Sequence, residues 1–207
     1  MTKTLYLFAG SVWAAAAELA VTELGYKEDD ITFKSINLVE GENFMPSFLK
    51  INPAGTLPTL ECDGQVYKMT AKVTSALIKG APIKVKAGTT VIETIHDKKY
   101  DPNFSMLSMC NDTELTVKST GLLMMFISNR ILLESGFIGG ELPGEDDFHV
   151  AAWLTRIAAT TGAKSVDDPL TSMEDAYGAL VPSKVTAYWG VWIAKPSWKK
   201  VYAYVLH

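Results

Sequence analysis

The chain has 207 residues, with 19 Lys+Arg against 23 Asp+Glu for a formal net charge of −4, and 48% of its residues are apolar. At this length roughly 70% of the unfolded surface can be buried, so one large domain or two small ones can hold a core, and disorder, collagen and small disulfide scaffolds are excluded. The slightly acidic balance, with no Lys/Arg block, argues against a nucleic-acid or anionic-membrane surface and leaves small-molecule chemistry open.

Cys62 and Cys110 form no CxxC pair, and His96, His149 and His207 have no metal-ligand spacing, so neither a metal site nor a structural disulfide is expected. Wholly apolar runs, Leu122 to Ile127 among them, do not exceed six residues, far short of the ~20 that span a bilayer. Lys3 and the apolar stretch from Leu5 to Ala17 imitate a secretory signal, and the sequons Asn103-Phe-Ser and Asn111-Asp-Thr would suit secretion. Against this, Gly10-Ser11 interrupts the stretch and a helical pattern runs past any plausible cleavage point. A cytoplasmic location is expected.

Thr4 to Ala9 reads as a strand buried on both faces, with Tyr6 and Phe8 on one parity and Leu5 and Leu7 on the other. Gly10-Ser11 turns the chain into a helix from Val12 to Leu24, whose apolar positions fall at three- and four-residue spacing before Gly25 stops it. Ile31 to Leu38 is a second strand, so the chain opens as a βαβ unit with a parallel pair. Phe48 to Ile51 leads into Asn52-Pro53-Ala54-Gly55, then a strand from Thr56 to Cys62, an Asp63-Gly64 hairpin turn and a strand around Val66-Tyr67. Pro58 cannot donate to a ladder, so it sits at an edge, at a strand start or in a cis turn. Thr70 to Lys79 is a short helix.

Beyond Ala81-Pro82 the stretch from Ile83 to Pro102 reads as loop-rich, and every later periodicity is helical. Helices are expected over Asn103 to Met109, Asp112 to Ser135, Asp146 to Thr161, Ser172 to Ala179 and Pro182 to Ala194. Pro196 breaks the last before a terminal Trp198-to-Leu206 segment. The fold class is therefore α/β plus all-α: an α/β domain over residues 1–83 and an all-helical domain over 84–207.

The run Asn52-Pro53-x-Gly55-x-Leu57-Pro58-Thr59-Leu60, set between a βαβ opening and an Asp63-Gly64 hairpin with a helical half behind, resembles the glutathione S-transferases. Phe8-Ala9-Gly10-Ser11-Val12-Trp13-Ala14 and Asp147-Phe148-His149-Val150-Ala151-Ala152-Trp153-Leu154 look most like fungal, basidiomycete-type members. The resemblance implies a thioredoxin-like N-terminal domain that binds glutathione as co-substrate. It also implies a helical C-terminal domain that forms a hydrophobic substrate pocket, and a homodimer. A cis Pro58 would let the backbone of Leu57 pair with the cysteinyl backbone of glutathione, a strand addition by a tripeptide. The other reading of Pro58 is a residue that starts an edge strand.

Ser11, at the start of the first helix, is the catalytic candidate: its hydroxyl and the helix N–H groups would stabilise the glutathione thiolate, which is itself the nucleophile. A plain helix N-cap is the alternative role for Ser11. Tyr6 is the second candidate, since some relatives use a tyrosine near the end of the first strand, and core packing is its alternative. Trp13 reads as a pocket wall.

The departure from the pattern lies at Lys68-Met69-Thr70-Ala71-Lys72. Where the family places an acid that receives the γ-glutamyl ammonium, this chain has Met69; Thr70 keeps the hydroxyl that receives the carboxylate, and Lys72 adds positive charge. Losing a charge-assisted contact of ~1.5–3 kcal/mol implies a tenfold or greater loss of glutathione affinity. Asp147 matches a buried, helix-anchoring aspartate whose Ser/Thr partner position is Gly144, and it is assigned to folding. Met106, Met109 and the Leu122-to-Phe126 run either line the hydrophobic pocket or fill the core. Tyr188, Trp189 and Trp192 carry the same two readings.

Three functions remain open: a transferase joining glutathione to a hydrophobic electrophile or using it in a related reaction, a non-catalytic binder of a hydrophobic small molecule, and a glutathione-independent biosynthetic enzyme on the same scaffold.

Overall fold

The computed structural model describes residues 3–103, 123–163, 169–204 and 206. By its internal contacts the chain divides into two compact units, Met1–Val85 and Lys86–His207.

The first unit is built on a four-stranded sheet in the order β2-β1-β3-β4, with β1 Lys3–Leu7, β2 Ile31–Ser35, β3 Thr59–Cys62 and β4 Gln65–Lys68. β1 runs parallel to β2, across the connecting helix α1 (Val12–Glu23), and antiparallel to β3. The β3–β4 hairpin turns through Asp63 at φ 52° and Gly64 at φ 77°, the doubly left-handed geometry that Asp-Gly favours. Helices α2 (Pro46–Leu49) and α3 (Thr70–Lys79) complete the unit. Ala14, Ala15, Ala16 and Ala17 are all buried in α1, which packs against α3. Four small side chains in a row leave little bulk along that turn of the helix, so its backbone can approach its neighbours, α3 among them, closely there.

The second unit contains α4 (Thr90–Ile95), α5 (Leu123–Arg130), α6 (Glu145–Thr160), α7 (Pro169–Tyr177), α8 (Ser183–Ile193) and α9 (Pro196–Val201). Its central element is α6, buried on every side from Glu145 to Thr155, as expected of a helix enclosed by others. Phe148, Trp153 and Ile157 pack there, and Tyr188, Trp189 and Trp192 on α8 join Trp198 and Tyr202 in an aromatic cluster with centroids 4.5–6.4 Å apart. That burial decides between the two readings of Tyr188, Trp189 and Trp192 in favour of core.

Three successive carboxylates open α6 and each caps a different stretch of backbone. Asp147 Oδ1 and Oδ2 accept from the N–H groups of Ile138, Gly139 and Gly144 at 2.7–2.8 Å and from Tyr188 Oη at 2.9 Å. Burial pushes the Asp147 carboxyl up, and these donors pull it back toward the charged form. Glu145 accepts from Gly88 N at 2.7 Å, and Asp146 accepts from both Thr89 N and Thr89 Oγ1 at 2.9 Å. The stretch read as loop from Ile83 to Pro102 therefore holds a short helix, α4. Thr89 caps it with its own hydroxyl on Val91 N, and Asp146 fixes that cap from more than fifty residues away, a partner no local pattern reveals.

The helix expected to reach Ser135 ends at Arg130. The helix expected over Asn103 to Met109, the start of the one from Asp112, and with them Met106, Met109 and Cys110, lie outside the described residues. Among the described residues no helix is long and apolar enough to cross a membrane, and no cluster of three or more His, Cys, Asp or Glu could hold a metal ion.

Candidate functional site

The strand register brings three separate stretches of sequence to one end of the sheet. Lys34, Tyr6, Thr59 and Lys68 lie opposite one another across β2, β1, β3 and β4. β1 and β4 leave the sheet at this end and β3 enters there, so Ser11 after β1, Leu57-Pro58 before β3 and Met69-Thr70 after β4 all emerge beside that row. Opposed residues share a face. The candidate residues of the first unit are thus gathered by topology although Ser11 lies 46 residues before Leu57 and 59 before Thr70.

The entry to β3 is held by Asn52, which is fully buried. Its Nδ2 donates to Thr56 O at 2.9 Å and to Thr59 Oγ1 at 2.9 Å, while its Oδ1 accepts from Ala54 N at 3.1 Å. Thr59 Oγ1 donates in turn to Thr56 O at 2.8 Å. Asn43 Nδ2 braces the same turn through Gly55 O at 2.8 Å. Gly55 has φ 63°, and a Cβ there would sit 3.1 Å from Asn43 O, so the turn needs glycine both for its backbone and for space. These bonds hold the turn that delivers Leu57, joined to Pro58 by a cis peptide bond. Among the described residues neither the N–H nor the C=O of Leu57 is hydrogen-bonded. Sequence reasoning does not single out Asn52 and Thr59 for this task; an Asn ahead of Pro-x-Gly is the turn signal that points to them.

Ser11 occupies the N-cap of α1 with extended backbone, φ −87° and ψ 119°, and its C=O accepts from Ala14 N and Ala15 N. Its hydroxyl makes no capping hydrogen bond. Trp13 follows in the first turn, half-buried. Tyr6 is directed elsewhere: its hydroxyl donates to Glu61 Oε2 at 2.5 Å and its ring meets Phe48 edge-on at 5.5 Å. Burial first, then the bond to Glu61 and its charge, push the Tyr6 phenol up to about 12.

At the third stretch Met69 has φ 71° and ψ 135° and is 67% exposed. A residue with a side chain rarely holds such a backbone, and its cost, ~1–3 kcal/mol, is the kind that concentrates at binding sites. Its C=O accepts from Lys72 N and Val73 N. Thr70 is the first residue of α3 and is buried. Lys72 is exposed in the same turn, and no acidic residue lies there.

Residues 5–75 match the family model for the glutathione S-transferase N-terminal domain. Solved structures similar to this chain are themselves glutathione transferases. Human theta-2, in complex with glutathione and an unknown ligand, is 13% identical with a TM-score of 0.70 over 97% of this chain and 86% of that one. A mutant of poplar glutathione transferase F1 is 18% identical with a TM-score of 0.69, covering 97% of this chain and 96% of its own. The epsilon-class enzyme of the housefly, Musca domestica, is 17% identical with a TM-score of 0.65 over 96% of this chain and 91% of that one. A comparison with curated proteins finds no match. The chain has the glutathione S-transferase fold, a thioredoxin-like N-terminal domain followed by a helical one.

Proposed function

We propose that the protein is a glutathione-dependent transferase that joins the glutathione sulfur to a hydrophobic electrophile. The observation that carries this reading is the sheet end where Leu57, with both backbone groups unengaged, shares its position with the unbonded Ser11 hydroxyl at the start of a 12-residue helix. An extended cysteinyl residue has one donor and one acceptor to match the two groups of Leu57. Its sulfur then requires a hydrogen-bond donor, which Ser11 supplies. The positive end of α1 adds up to ~1 kcal/mol of preference for the thiolate. The thiol proton leaves to solvent, the sulfur lone pair forms the new C–S bond, and the electrophile releases its leaving group or takes the charge.

Tyr6 has no part in this chemistry, because its proton is committed to Glu61. Ser11 is not the nucleophile, since nothing beside it in sequence would serve as its base. A hydrophobic partner and an isologous homodimer in the cytoplasm belong to the same reading. Kinship with fungal members rests on the Phe8–Ala14 and Asp147–Leu154 segments.

Turnover of an aryl halide with glutathione tests the reading, and light scattering at micromolar concentration tests the dimer. Binding of an apolar small molecule with no measurable glutathione binding would favour the second reading, a non-catalytic binder of a hydrophobic molecule. Met69 favours that alternative, because it leaves the ammonium of glutathione without the carboxylate that would hold it.

A further inference from the structure

The start of α3 combines unengaged hydrogen-bond donors with a first turn that contains no acid. Thr70 is 6% exposed, yet its hydroxyl forms no hydrogen bond among the described residues and is not among the polar atoms sealed from solvent. A mostly buried side chain whose one polar atom is unpaired within the protein and still reaches solvent leaves that atom open to water or to a ligand. The N–H groups of Thr70 and Ala71 find no acceptor among the described residues. They belong to a helix of 10 residues, long enough for its dipole to favour an anion at this end.

Every charged neighbour in the local sequence is positive. Lys68 is the last residue of β4 and Lys72 lies in the first turn of α3, on either side of the exposed, strained Met69. The first turn of α3 contains no acid. In register the closest carboxylate on the sheet is Glu61, two residues along β3 from the end row, and one of its oxygens accepts from the Tyr6 hydroxyl. A hydroxyl, two N–H groups and a helix dipole, with a lysine on either side of Met69 in sequence, suit one carboxylate. An amino acid end, with its ammonium one carbon from that carboxylate, would set a cation among cations.

We infer that the acyl end of the ligand held here carries a carboxylate and no free ammonium: the substrate class is a cysteine-containing peptide capped by an ω-carboxyacyl group, or a γ-glutamyl peptide whose amine is acylated. This rests on the reading that the Leu57 edge binds a thiol tripeptide, and it changes which tripeptide.

Calorimetry on the full chain compares glutathione with glutaryl-cysteinyl-glycine, which is glutathione without its amino group. The glutaryl peptide is expected to bind about tenfold more tightly, the effect of one charge contact changing sign. In Lys72→Ala, a change at an exposed position, the preference should narrow to about threefold. If glutathione binds as tightly as the glutaryl peptide or more so, the inference is overturned while the transferase reading stands. If neither peptide binds at millimolar concentration to protein with an unchanged circular dichroism spectrum, the transferase reading falls and the inference with it.

Discussion

The Tyr6 hydroxyl donates to Glu61 Oε2 at 2.5 Å, tying β1 to β3 on the face where the Lys34 ammonium stands 5.4 Å from the centre of the Tyr6 ring. With its phenol pushed up to about 12, Tyr6 keeps its proton at any physiological pH and spends it on Glu61. Of the two sequence candidates for thiolate stabilisation, Ser11 is the one whose hydroxyl makes no competing cap bond.

Ser11→Ala is therefore expected to raise the pKa of bound glutathione by up to about one unit and to lower turnover near neutral pH by up to about tenfold, the equivalent of one hydrogen bond to a charged group. Glutathione affinity should change less than about twofold. Tyr6→Phe should lower turnover less than Ser11→Ala does. Titrating the thiolate absorbance of each complex checks both statements, and an unaltered titration in Ser11→Ala would shift the role to the helix N–H groups alone.

Asn52→Ala removes a fully buried donor shared by Thr56 O and Thr59 Oγ1. The expected cost is about 2–3 kcal/mol, read as a lower urea midpoint with an unchanged slope. Because the same bonds deliver Leu57, glutathione affinity should fall in parallel with stability. A stable variant with intact affinity would show that the turn is held by Asn43 and Gly55 alone.

Met69→Glu supplies a carboxylate at the exposed position before α3. Glutathione binding should tighten about tenfold, or ~1.4 kcal/mol, the lower end of a charge-assisted contact after solvent screening. The glutaryl peptide should gain nothing from the same change. Should the native protein bind glutathione at micromolar affinity and the variant no better, another group supplies the anion.

Acid should destabilise the helical unit through the pair of buried His149 and partly buried His96. His96 Nε2 and His149 Nδ1 are 2.8 Å apart, so one ring must donate and the other accept. Burial lowers His96 to about 4, and burial followed by the charge of His96 holds His149 well below the usual histidine range. The folded state thus keeps both rings neutral while the unfolded chain protonates them near 6.5. The unfolded state binds more protons over this range, so stability is complete above pH 6.5 and falls as the pH drops from there toward 4. With two protons involved, the slope reaches about 2.7 kcal/mol per pH unit. Urea unfolding between pH 4 and 7 measures it, and His96→Gln should cut the slope by about half. A flat profile would show that the rings are not held neutral.

Local chemistry makes the N-terminal half legible in the linear chain. Asp63-Gly64 names its own turn, the three- and four-residue spacing from Val12 onward names a helix, and Asn52-Pro53-x-Gly55 carries its turn chemistry in the side chain of Asn52. Each of these signals acts between residues a few positions apart, so a linear pattern suffices to reveal it. The departure at Met69 is visible only against the pattern of the family that the chain resembles.

Tertiary structure alone settles what depends on partners distant in the chain. Nothing near Tyr6 in sequence announces Glu61, and only the pairing of β1 with β3 brings the two together and gives the Tyr6 hydroxyl its partner. The free Ser11 hydroxyl, the helix from Thr90 to Ile95 capped with the help of Asp146, and the histidine pair between His96 and His149 arise in the same way. A hydrogen bond has a reach of about 3 Å in space and no fixed reach in sequence. Periodicity and turn signals therefore place the elements, whereas the partner of each polar side chain, and with it the choice between structural and chemical roles, waits on packing.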